Sequence, residues 1–208
     1  MCQLHLFETL CLQNGELFRL PCHEKRRLDA CRHFWPGRSV TPLRDILAAH
    51  GIHEHVNAGV LSAGTFKVHI DYSQEDSSVT VTPYTPKHVE SLRLVTADDI
   101  DYAYKYADRT PLAACLSRRG SCDDVIIVRN GLLTDTSYSN IALFDGTSWL
   151  TPRRPLLMGT MRAALLDSGL LHEADIRPAD LPSFTTVSLI NAMLPLGRLT
   201  VSTGRIEH

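Results

Sequence analysis

The chain has 208 residues, 44% of them hydrophobic, with 21 basic and 23 acidic side chains for a formal net charge of −2. That length suffices for one large or two small domains, and the charge balance offers no basic surplus for a nucleic-acid partner. No apolar run approaches the ~20 residues that span a bilayer, and the opening MCQLHLFETL lacks a basic stretch followed by a clean apolar one, so neither a membrane span nor a signal peptide is expected.

Residues 4–12 read as a buried strand, and Asn14-Gly15 is a hairpin turn into Glu16–Leu20. Pro21 precedes a basic helix over His23–Cys31, ended by Trp35-Pro36-Gly37, in which Arg26 and Arg27 also fit a solvated face. Thr41-Pro42 opens a second helix with Thr41 as its expected N-cap. His50, His53 and His55 have metal-like spacing, but AHGIHEHVNAG reads as a helix end and loop with solvated histidines. Alternating Phe66–Tyr72 and Val79–Tyr84 pair across a polar turn, and this half is α+β. Thr85–His88 is the expected linker, giving a small domain over 1–86 and a larger one over 87–208.

Beyond it come a strand at Ser91–Val95, the tyrosine-rich Asp101–Arg109, a helix through Leu112 and Leu116, and a strand at Asp123–Val128. Asn130-Gly131 turns the chain into Leu132-Leu133, and a polar cluster of Asp135, Ser137, Ser139 and Asn140 follows. Asp145-Gly146 turns a hairpin, and after Thr151-Pro152 and Pro155 the chain reaches Met158–Arg162 and a helix. Glycine followed by threonine at a helix start leaves backbone N–H groups for an anion such as phosphate. One carboxylate and one phosphate cradle on consecutive elements are what a phosphorylated cofactor with a basic ring nitrogen requires. A last strand, Thr186–Ile190, stops at Asn191–Pro195.

Six cysteines (Cys2, Cys11, Cys22, Cys31, Cys115, Cys122) lack C-x-x-C spacing, which favours reduced, buried thiols and a cytoplasmic setting over zinc or a redox pair. The four lysines are Lys25, Lys67, Lys87 and Lys105. A Schiff-base lysine must be neutral although its free pKa is ~10.4, so it needs burial or nearby cations. Lys25 and Lys87 are expected on the surface, Lys67 snorkels from a strand, and Lys105 sits among tyrosines with Arg109 four residues on.

These pieces together resemble the class IV aminotransferase family of pyridoxal-phosphate enzymes, most closely its 4-amino-4-deoxychorismate lyase branch. Phe7-Glu8-Thr9 resembles the family's early FET strand, and His23–Arg26 its HxxR helix. Tyr104-Lys105 to Arg109 resembles the lysine segment, and Leu133–Asn140 the TE…SN element. Leu157–Arg162 resembles the LxGxxR turn and Asn191–Pro195 the lyase branch's strand end. Each is weak alone; six in family order across Phe7–Pro195 are specific.

The resemblance implies a two-domain, fold-type IV α+β architecture and a homodimer. It makes Lys105 the aldimine-forming lysine and general base, and Asp135 the acid paired with the pyridine nitrogen. Arg26, Gly159, Thr160, Met161 and Asn191 are implied to hold the phosphate, Asn140 to support the acid, and Arg109 to contact substrate. The substrate is a small amine or amino acid. The implied reaction is elimination of pyruvate from an amino-deoxychorismate-like compound, with transamination of a D-amino-acid or branched-chain type as the alternative and a catalytically weak binding module as a further one. The chain departs from the pattern in having Asp135 for the usual glutamate and Met161 for a frequent threonine, and it starts almost at the FET strand, without the usual preceding strand and loop.

Overall fold

The computed structural model describes residues 3–208; Met1 and Cys2, and with them the start of the leader reading and one of the six cysteines, lie outside it. The chain forms two compact units, one holding the residues up to Pro86 with Tyr104–Ala107, the other Lys87–Ala103 with Asp108–His208.

In the first unit β1 (Leu6–Gln13) pairs antiparallel with β2 (Glu16–Leu17) and with β3 (Thr65–Tyr72), and β3 pairs with β4 (Ser77–Pro83). Asn14 and Gly15, at φ 50° and 83°, make the tight β1–β2 turn, a conformation that asparagine and glycine tolerate. Val68, Ile70 and Tyr72 of β3 are buried while its odd-numbered residues are half-buried, the period of two expected for a sheet with two different faces. Leu10, Leu12, Val68 and Ile70 pack with Leu43, Ile46, Leu47 and Ile52 from α2 (Leu43–Ala49) and α3 (Ile52–Asn57).

The helix α1 (Leu20–Phe34) starts three residues earlier than the sequence suggests, with Pro21 in its first turn, where a missing N–H costs nothing. Thr41 does not cap α2. The N-cap is Pro42, and the Leu43 N–H donates instead to Glu24 Oε2 of α1 at 2.8 Å. The histidine segment is the short helix α3 rather than a loop, and His50 Nδ1 bonds the Ile46 carbonyl.

Sequence order puts Lys105 in the larger domain, but residues Tyr104–Ala107 belong to the first unit. Tyr106 bridges to Leu6, the Phe7 N–H donates to the Lys105 carbonyl at 2.9 Å, and the Ala107 N–H donates to the His5 carbonyl at 3.0 Å. Tyr104 stacks on His33 and meets Phe34 edge-on, closing a second cluster with Leu6, Ala30, Cys31 and Tyr72. Backbone pairing and aromatic packing both outweigh sequence proximity here.

In the second unit β5 (Leu92–Thr96) runs parallel to β6 (Asp124–Arg129), which turns through Asn130-Gly131 into antiparallel β7 (Leu132–Thr136). α4 (Thr110–Leu116) links the first two strands. β8 (Asn140–Phe144) meets β7 only at Asp135↔Asn140, then pairs with β9 (Trp149–Pro152) and, along its length, with β11 (Thr186–Ile190). α5 (Thr160–Asp167) leads to β10 (His172–Ala174), which runs parallel to β9. β12 (Thr200–Ser202) and β13 (Ile206–Glu207) complete the sheet. Its core includes Leu92, Ile126, Ile141, Leu143, Val187, Leu189 and Leu194, all fully buried. Among the described residues no helix is long and apolar enough to cross a membrane.

Candidate active site

The residues singled out in the sequence fall in both units. In the first, Lys105 is half-buried, with its ammonium 4.5 Å from the centre of the Phe7 ring. Lys25 and Lys87 are exposed, Lys87 lying over Tyr138, and Lys67 is half-buried in β3 opposite Cys11 and Thr82. Arg26 and Arg27 differ in role. Arg27 is buried, donates to the Thr41 carbonyl at 2.8 Å and lies over the Tyr72 ring, so it ties α1 to its surroundings. Arg26 keeps 15% of its side chain exposed and holds the fully buried Glu8.

In the second unit Asp135 is 5% exposed. Its Oδ1 accepts Asn140 Nδ2 at 2.8 Å and its Oδ2 accepts the Leu157 N–H at 2.9 Å. Burial pushes its pKa up to about 6, against the pull of the Leu157 and Asn140 bonds and the Arg162 charge. Asn140 also donates to the Leu157 carbonyl at 2.8 Å. The local sequence explains the grouping, because the turn Ser137–Ser139 reverses β7 into β8 and brings position 135 opposite position 140. Ser137 and Ser139 are turn-builders: Thr136 Oγ1 and Ser139 Oγ are 2.8 Å apart, and the Ser139 N–H donates to Thr136 Oγ1.

Gly159 is the N-cap of α5, followed by buried Thr160 and Met161. Its N-cap, a glycine, has no side chain with which to cap the first turn, which stands at the positive end of the helix dipole. The Met161 side chain packs with Ala142, Leu165 and Ile190, which leaves only its backbone for a ligand. Arg162 is buried and donates to the Pro152 carbonyl at 2.9 Å and to Glu173 at 2.6 Å, so the arginine of this turn anchors α5 to β9 and β10.

Two other expected site residues have structural partners. Asn191 Oδ1 accepts the Met193 and Leu194 N–H groups at 2.8 and 3.1 Å and thereby closes its own turn. Arg109 is exposed and donates to the Ser137 carbonyl at 2.6 Å. The nearby carboxylates are engaged elsewhere: Asp108 accepts from Thr110 and Asp101 from the Ala103 N–H. What the sequence reading missed is Glu8 with His23, whose signal is an acid in the middle of an apolar strand.

These features suit a phosphorylated cofactor with a basic ring nitrogen. A buried carboxylate whose hydrogen bonds do not offset its burial suits a cationic ring nitrogen, and a glycine-led helix start suits a phosphate. Residues 5–200 match the family described as amino-transferase class IV, and the chain belongs to that family of pyridoxal-phosphate-dependent enzymes. A solved structure from Haemophilus somnus, a candidate 4-amino-4-deoxychorismate lyase, is 32% identical, covers 94% of this chain and 100% of its own, and superposes with a TM-score of 0.84. A candidate aminodeoxychorismate lyase of Schizosaccharomyces pombe is 28% identical over 82% of this chain and 77% of its own. The same fold, at 20% identity, 97% and 82% coverage and a TM-score of 0.75, occurs in a candidate aminotransferase of Mycobacterium tuberculosis solved with pyridoxal phosphate bound.

Proposed function

We propose that this chain is a pyridoxal-phosphate-dependent lyase that eliminates pyruvate from a 4-amino-4-deoxychorismate-like substrate. The observation that carries the lyase reading is the 32% identity, across 94% of the chain, to the Haemophilus somnus protein. The alternative is amine transfer, the reaction for which the family is named.

When bound, pyridoxal phosphate supplies an aldehyde for an amine and a ring that accepts electrons from the substrate carbon. Lys105 would hold the cofactor through its side-chain amine, and that amine would serve as the base that takes and returns the proton at the substrate carbon. Asp135 holds a proton on the ring nitrogen, and Asn140 and Leu157 orient its carboxylate for that task. In the second unit the Gly159-Thr160-Met161 backbone would receive the phosphate through N–H donors, and in the first unit Arg26 is the candidate to supply charge to it. Asn191 supports that end by shaping its turn, and Arg109, exposed beside the Ser137 turn, is available to an anionic substrate.

The chain acts as a homodimer in the cytoplasm in this reading. The five described cysteines are all free thiols, which suits a reducing compartment, and light scattering tests the dimer. Two assays on one preparation separate the reactions. Pyruvate and an aromatic amine released from 4-amino-4-deoxychorismate support the lyase, whereas amine exchange between an amino acid and 2-oxoglutarate without that release overturns it in favour of a transaminase.

A further inference from the structure

Glu8 lies in the middle of β1 and is fully buried, as is His23 of α1. His23 and Arg26 stand three residues apart and so share one face of the helix. Glu8 Oε1 accepts Arg26 Nε at 2.9 Å; Glu8 Oε2 accepts Arg26 Nη2 in a short contact and also faces His23 Nδ1 at 2.6 Å. Burial would raise the Glu8 pKa, but the Arg26 charge and the bonds from both partners outweigh it and hold it at about 2. Burial pushes His23 the other way, towards the neutral imidazole, despite Glu8. Charge balance accounts for both directions: one carboxylate faces one guanidinium, and a neutral His23 donates from Nδ1 as a third member. The network's only partly exposed member is Arg26, with 15% of its side chain accessible against 0% for the other two.

We propose that Glu8 and His23 are positioning residues for the phosphate end of the cofactor, fixing the Arg26 guanidinium plane before the phosphate arrives. This deepens the function proposed above and rests on it. An arginine on a helix surface ordinarily loses rotamer freedom when it clamps an anion; one already held through Nε and Nη2 has lost it on folding. His23 acts one step further back, fixing the carboxylate that fixes the arginine.

The test compares dissociation constants for pyridoxal phosphate and for pyridoxal, which lacks the phosphate, on the full chain. Wild type should prefer the phosphorylated ligand, and Arg26→Gln should remove most of that preference. Glu8→Gln should weaken pyridoxal phosphate about 10-fold or more while leaving pyridoxal within about twofold, and should add little in the Arg26→Gln background. His23→Leu should show the same selective loss. His23→Asn, whose amide reaches the place of Nδ1, should restore it, and this pair carries the test if Glu8→Gln does not fold. Equal losses for both ligands, no loss at all, or full additivity with Arg26→Gln overturns the proposal. A wild type that prefers the phosphate through Arg26 but is indifferent to Glu8 and His23 sinks only the positioning role. A wild type that binds neither ligand overturns the cofactor reading as well.

Discussion

The Asn140 side-chain oxygen occupies the space that a β-carbon on Gly159 would need: an added Cβ would lie 1.9 Å from Asn140 Oδ1. Gly159 has φ −72° and ψ 143°, which any residue adopts, so the requirement for glycine is purely steric. Asn140 is in turn fixed by its two donated bonds, to Asp135 and to the Leu157 carbonyl. Gly159→Ala should therefore displace Asn140 and cost Asp135 a donor, weakening cofactor binding about 10-fold and lowering stability by about 1–3 kcal/mol. Absorbance titration and thermal unfolding of the same sample check both effects. Asn140→Ala, which opens the space, should partly rescue the alanine at 159.

Lys105→Ala should abolish turnover, by at least about 10³-fold, with little change in folding. The side chain is half-buried, and its contact with the Phe7 ring is worth on the order of 0.5–1 kcal/mol. Borohydride reduction of the wild-type complex followed by peptide mapping should place the adduct on Lys105; an adduct on Lys67 would reassign the role.

Glu8 and Asp135 pull the pH dependence of stability in opposite directions. For Glu8 the folded pKa lies below its ordinary value, so its contribution, on the order of 3 kcal/mol, is present above about pH 4.5 and is lost as pH falls towards 2. For Asp135 the folded pKa is raised to about 6, so without cofactor its contribution is present below about pH 4 and is lost as pH rises through 6. Between pH 7 and pH 5 Asp135 should accordingly contribute a gain in stability to the cofactor-free chain, set against the loss from His23 and His69, whose burial disfavours the protonated imidazole that the unfolded chain forms in the same range. That gain should vanish in Asp135→Asn, and also on loading with pyridoxal phosphate if the ring nitrogen meets Asp135. Calorimetric unfolding across that range measures it.

Asp135→Asn offers an amide where the chain now has two acceptor oxygens facing two donors, so one of the Asn140 and Leu157 bonds is lost. Turnover should fall by about two orders of magnitude while the lysine adduct still forms, a split visible by comparing rates with borohydride trapping.

The strands and turns of the second unit were legible because their code is local: Asn130-Gly131 and Asp145-Gly146 mark reversals, and Asp135 stands out as an acid between apolar runs. The membership of Tyr104–Ala107 was not, since a single bridge to Leu6 across about a hundred residues leaves no periodicity. The α2 cap failed for a related reason: Glu24, on another helix, reaches the Leu43 N–H that Thr41 would serve. Glu8 and His23 stood in quoted motifs, yet their pairing is a contact between a strand and a helix that no spacing rule encodes.

The return of Tyr104–Ala107 to the first unit also sets the order in which the protein can be made. A ribosome that has released the chain only as far as Pro86 has delivered four strands and three helices, but not the segment that pairs with Leu6 and roofs Phe34. The nascent first unit must therefore wait, with that aromatic patch uncovered, until synthesis has passed through β5 and reached Ala107.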